Sequence, residues 1–146
     1  MVSKRTQILL AVPIAVVVMA TSVLLRRDKP TGIPTESPIR IDIHVIGLFL
    51  NATEDYEASI TNQADCVAVS KTLSLGRKER PHMCAPVGSM TFFYSNGASN
   101  VVSLRTGHND GRYEIELNGR YSIPRAGLSE ALSKAGIDKS KLLLGH

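Results

Sequence analysis

The sequence predicts an α+β protein: an N-terminal transmembrane helix, then a small, mostly antiparallel sheet domain with one C-terminal amphipathic helix. Three observations carry this. Eighteen uncharged residues, Ile8 to Leu25, stand between basic clusters near the N-terminus. Beyond residue 38, short runs of alternating apolar and polar residues recur with turn residues between them, as half-buried antiparallel strands require. One stretch near the C-terminus, "GLSEALSKAG", changes to helical spacing.

The chain has 146 residues, 43% of them apolar, with a net charge of +4. Those values suit one modest core rather than a disordered chain. Residues 1–7 form a basic tail carrying Lys4 and Arg5. Residues 8–25 come next as a membrane segment; at 1.5 Å per residue a helix of this length reaches about 27 Å, close to the bilayer core. Pro13 lies in its first turns, where a missing donor costs least. Val18-Met19-Ala20 resembles a signal-peptide cut site, so secretion after cleavage near Ala20 is the alternative. The apolar run continues to Leu25 before Arg26-Arg27, which favours an uncleaved anchor. A short basic tail before an apolar segment further favours export of the C-terminal domain, placing it outside the cytoplasm.

Residues 26–38 read as a spacer. Pro30, Pro34 and Pro38 recur every four residues among Thr, Gly, Ser and Glu, which favours extended, polyproline-like chain. The domain proper is expected over 39–146. Ile39, Ile41, Ile43 and Val45 alternate with Arg40, Asp42 and His44 as a first strand, with His44 pointing away from the core. Cys66 to Leu75 is expected as a second, with Val67, Val69, Leu73 and Leu75 on one face, Met90 to Tyr94 as a third and Val101 to Leu104 as a fourth. "RYEIELNGRYSIP" reads as a hairpin, because Asn118-Gly119 tolerates the positive φ of a tight turn. After Pro124, Leu128, Ala131, Leu132 and Ala135 share one helical face, with Gly136 as the C-terminal cap. "KLLLGH" offers a last short strand.

Charge placement argues against nucleic acid. Residues 1–38 hold five basic and two acidic residues, and the remainder is nearly balanced. Phosphate binding would need the excess on the folded part. The chemistry-bearing residues are few. Cys66 and Cys84 are the only cysteines. In an oxidising compartment one bridge closing 19 residues would stabilise by about 3 kcal/mol. That disulfide is the preferred reading. Cys66, His82 and Cys84 are the alternative metal ligands, although no CxxC or HxxxH spacing supports them. A nucleophilic thiol with His82 or His108 as base is a third possibility that no spacing selects. Arg77, Lys78 and Arg80 form a possible binding loop, interrupted by Glu79. His108 and Asp110 lie among turn residues. Glu114 and Glu116 share a strand face expected to meet solvent. Asn51-Ala52-Thr53 is a glycosylation sequon, informative only in a eukaryotic secretory setting.

Residues Val101 to Gly136, "VVSLRTGHNDGRYEIELNGRYSIPRAGLSEALSKAG", resemble the strand, NG turn, strand and helix of the periplasmic domain in ExbD/TolR-type stator proteins. Members of that family also carry a short cytoplasmic tail and one transmembrane helix. The resemblance covers about a quarter of the chain and implies an intramembrane Asp for proton coupling. Ile8 to Leu25 contains no acidic residue.

No phosphate loop, serine elbow or HExxH helix occurs, so the sequence offers no positive support for an enzyme and implies no cofactor. The expectation is a single-pass, membrane-anchored, extracytoplasmic binding or scaffold protein. Its partners would be the membrane, through Ile8 to Leu25, and a protein of the envelope. The alternatives are a small secreted metal-binding or thiol-dependent protein, or a stator-like component lacking the intramembrane Asp.

Overall fold

The computed structural model describes residues 36–47, 52–80, 83–105, 111–138 and 141. Its elements run β1 (Arg40–Val45), β2 (Tyr56–Ile60), α1 (Gln63–Ser74), β3 (Arg77–Lys78), β4 (Pro86–Phe93), β5 (Ser99–Arg105), β6 (Arg112–Glu116), β7 (Arg120–Pro124) and α2 (Arg125–Lys134). The strands form one seven-stranded sheet in the order β2-β1-β4-β5-β6-β7-β3. Every neighbouring pair is antiparallel.

This corrects the predicted architecture. The described residues are mostly sheet, with seven strands and two helices among them, where the sequence predicts an α+β layout with a small sheet and one C-terminal helix after a transmembrane segment. Among the described residues no helix is long and apolar enough to cross a membrane. The apolar run at 8–25, most of the spacer, Asn51, His82, His108, Asp110 and the "LLLGH" end of the predicted last strand lie outside the described residues.

The largest local departure is α1, whose residues the alternation predicts as a strand. Asn62 caps it by accepting hydrogen bonds from the Ala64 and Asp65 amides at 2.9 and 3.2 Å. Asp65 in the first turn and Lys71 in the last complement the helix dipole. The buried set is Cys66, Val69, Ser70 and Leu73, at i, i+3, i+4 and i+7. Val67 and Leu75, which the strand reading places inside, are exposed.

Both helices cover one face of the sheet. α1 lies against β1 and β2, α2 against β6 and β7, and the two pack on each other. The core between them and the sheet takes alternate strand residues, among them Ile41, Ile43, Val45, Met90, Phe92, Val102, Leu104, Tyr113, Ile115 and Ile123. Residues of this size contribute about 1.5–3 kcal/mol each when fully buried, which fixes which face of each strand turns inward. At Gly88, beside a register shift in β4, a Cβ would collide with the His44 carbonyl oxygen and come within 3.0 Å of the Val45 Cα. Only glycine allows β4 to approach β1 this closely. The β6–β7 hairpin turns through Asn118 at φ 50° and Gly119 at φ 149°.

Candidate functional site on the open face of the sheet

Because α1 and α2 share one side, the opposite face carries the other alternate residues, and no described helix covers it. The strand registers line these residues up. Glu57, His44, Ser89, Ser103, Glu116 and Arg120 are successive cross-strand partners, forming a polar row over six strands. A second row runs Ser59, Asp42, Thr91 and Val101.

At the β2-β1-β4 end these rows border a depression of about 230 Å³ lined by Asp42, His44, Glu57, Ser59, Ser89 and Thr91. The Ser59 hydroxyl donates to Asp42 Oδ1 at 2.8 Å, and Arg40 pairs with the other Asp42 oxygen at 3.1 Å. His44 Nε2 lies 2.8 Å from Asp55 Oδ2, while Asp55 Oδ1 accepts the Gly47 amide at 2.8 Å. The Gly47 amide first, and the His44 imidazole second, hold the Asp55 carboxyl below its ordinary value. The depression therefore presents carboxylates, hydroxyls and an imidazole. These groups recognise a ligand by hydrogen bonding and charge.

The β5-β6-β7 end of the same face is closed by side chains and by the segment leading to β4. Arg105 pairs with Glu116 and donates to the Cys84 carbonyl at 2.6 Å. The Cys84 thiol lies 3.5 Å from Glu114 Oε2. Arg112 donates to the Ser122 hydroxyl and carbonyl at 2.9 and 2.7 Å, and that hydroxyl donates to Glu79 Oε1 at 2.5 Å. Glu114 and Glu116 share a face as the alternation implies, yet Glu114 is only 2% exposed rather than solvated. The chain through Cys84 lies against it, a contact that no local pattern announces.

The predicted disulfide requires correction, since the two cysteines are thiols that are not bonded to each other. Cys66, on the buried side of α1, lies in the core with its thiol donating to the Ile60 carbonyl at 3.3 Å. Cys84 meets Glu114, which points to the opposite face from its core neighbours Tyr113 and Ile115. The sheet separates the two sulfurs. It likewise keeps Cys66 and Cys84 from sharing a metal, and among the described residues, which exclude His82, no group of three or more His, Cys, Asp or Glu could hold one. Burial, and secondarily Asp65, pushes the Cys66 thiol upward. Arg77 and Lys78 are not in a loop but constitute β3, exposed on the sheet's far edge, and Arg80 lies just beyond them.

The sequence reading missed β2 and with it the depression. Its signal was the alternation of Tyr56, Ala58 and Ile60 with Glu57 and Ser59. Comparison with protein-family models, with curated proteins and with solved structures gives no match for this chain.

Proposed function

We propose that the chain is a membrane-attached binding module, with its domain outside the cytoplasm and its ligand site at the β2-β1-β4 end of the open sheet face. The observation that carries this is the polar depression between Asp42, His44, Glu57, Ser59, Ser89 and Thr91 on a face left bare by both helices. A concave surface with convergent polar groups is the ordinary form of a recognition site. The apolar segment Ile8 to Leu25 supports attachment to a membrane, and the basic tail before it supports export.

A photo-crosslinking residue at Thr91, in the full chain in its own membranes, tests the site against the same residue at Lys71 on the exposed side of α1. Adducts from position 91 and none from position 71 are expected; equal yields would remove the site. Compartment is read separately, by labelling a Lys71→Cys, Cys84→Ser variant with a membrane-impermeant thiol reagent in intact cells. Labelling only after lysis would place the domain inside.

A further inference from the structure

The two edges of the sheet are built differently. β3 ends it after two cationic residues, Arg77 and Lys78, which is how strand edges are commonly protected from pairing. β2 has five residues, no proline, no lysine and an unbroken register with β1. Among the described residues no strand pairs with its outer side.

The direction of its outward groups is set by the ladder. The Ile46 amide donates to the Val87 carbonyl at 2.9 Å, so by antiparallel alternation the even residues of β1 bond to β4. Ile41, Ile43 and Val45 then bond to β2, answered by Ile60, Ala58 and Tyr56. Glu57 and Ser59 are left with main-chain N–H and C=O groups facing outward. Their side chains stand on the polar face beside the depression.

The charge on β2 and the segments flanking it has one sign, Arg40 on neighbouring β1 being paired with Asp42. From Ile41 to Ser70 the sequence holds five carboxylates, Asp42, Glu54, Asp55, Glu57 and Asp65, and neither Lys nor Arg. Glu54, Asp55 and Glu57 are exposed or partly exposed where the chain enters and forms β2.

The geometry points to β2 as the acceptor for an extended basic peptide, which adds to the sheet as an eighth strand through the main-chain groups of Glu57 and Ser59. Lysine or arginine side chains at alternate positions of that peptide lie over the polar face against Glu57 and Asp55, and its other side chains lie on the helix side. A second copy of this chain is a poorer occupant. Pairing β2 with β2 would bring Glu54, Asp55 and Glu57 of both chains together, and β3 offers only two residues to pair. This inference rests on the binding reading of the same face and names its ligand class.

The test uses the full chain in detergent and a fluorescent eight-residue peptide alternating lysine and valine, with a glutamate–valine peptide as control, monitored by anisotropy. Binding of the lysine peptide that weakens with salt is expected, with none by the control. Ser59→Pro should weaken it by about tenfold or more, since it removes an outward N–H and blocks the edge while sparing the inner ladder. Glu57→Gln should weaken it by about threefold at low salt. A lysine peptide N-methylated at alternate amides keeps its charge but cannot pair, so it settles the matter if the proline variant fails to fold.

Undiminished binding of the methylated peptide, or equal binding of the glutamate peptide, would overturn strand addition. So would a dimer that Ser59→Pro dissolves, since a second copy would then hold the edge. If the lysine peptide fails to bind while the position-91 adducts persist, the recognition face stands and the ligand class falls.

Discussion

Cys66 and Cys84, the only thiols in the chain, sit on opposite faces of one sheet, the first on the buried side of α1 and the second against the Glu114 carboxylate. That separation makes them energetically independent. Cys66→Ser exchanges a buried sulfur for a hydroxyl and should cost about 1–2 kcal/mol. Cys84→Ser should cost less than about 1 kcal/mol, and the double variant should equal the sum. Urea denaturation of all three variants measures this. Equal single losses with no further loss in the double variant would instead indicate a bridge.

Reactivity should divide the same way. In the folded protein Cys66 is fully buried, and burial raises its thiol. Mass spectrometry after brief alkylation should find adducts at Cys84 well before any at Cys66, with Cys66 modified only as denaturant opens the domain.

Gly88→Ala tests the close approach of β4 to β1. The added methyl meets backbone, the His44 carbonyl and the Val45 Cα, neither of which can rotate aside. A loss of about 1–3 kcal/mol is expected. Gly97→Ala is a useful contrast, because nothing lies within 4 Å of its Cβ position and only the backbone angle, φ 81°, opposes it.

Asp55 should make part of the acid limb of stability. Its folded value lies below the ordinary 3.8, through the Gly47 amide and then His44. A depressed carboxylate contributes stability that is fully present above its unfolded value and is lost as pH falls through its folded one. The loss therefore falls below about pH 4. Asp55→Asn should flatten the stability curve there, as thermal melts at stepped pH would show.

Capping by Asn62 is worth a direct measurement. Asn62→Ala removes the acceptor of two amide hydrogen bonds at the start of α1 and should cost about 1 kcal/mol, whereas Asn62→Ser should cost little. Chemical denaturation of both variants distinguishes a cap from a mere surface position.

The inner strands were legible because their apolar residues alternate and their neighbours in the sheet are mostly neighbours in sequence. Met90 and Phe92, Val102 and Leu104, and Tyr113 and Ile115 each announce a buried face. α1 was not legible as a helix because Val67 and Leu75, apolar but exposed, supply a false period of two, while buried Ser70 weakens the true period. β3 has no local signature, since two cationic residues become a strand only by lying beside Tyr121 and Ser122. For the candidate site, His44 could be directed away from the core from alternation alone. Its meeting with Glu57, Ser89 and Asp55 depends on which strands flank β1. Glu114 is hidden by residues about thirty positions earlier, so its burial is a tertiary fact.

The sheet order has a kinetic consequence. Its two outermost strands, β2 and β3, come from one stretch, residues 56–78, joined by α1. Six inter-strand spacings amount to about 29 Å. A helix of 12 residues with four linking residues spans at most about 31 Å, enough for this stretch to straddle the full width. The five strands between those edges pair with one another without it, four of them in unbroken succession. The straddling stretch is therefore free to dock after the inner strands have assembled, and its contacts should be largely absent at the rate-limiting barrier. Val69→Ala in α1 should accordingly speed unfolding and leave refolding nearly unchanged in stopped-flow traces, whereas Val102→Ala in β5 should slow refolding.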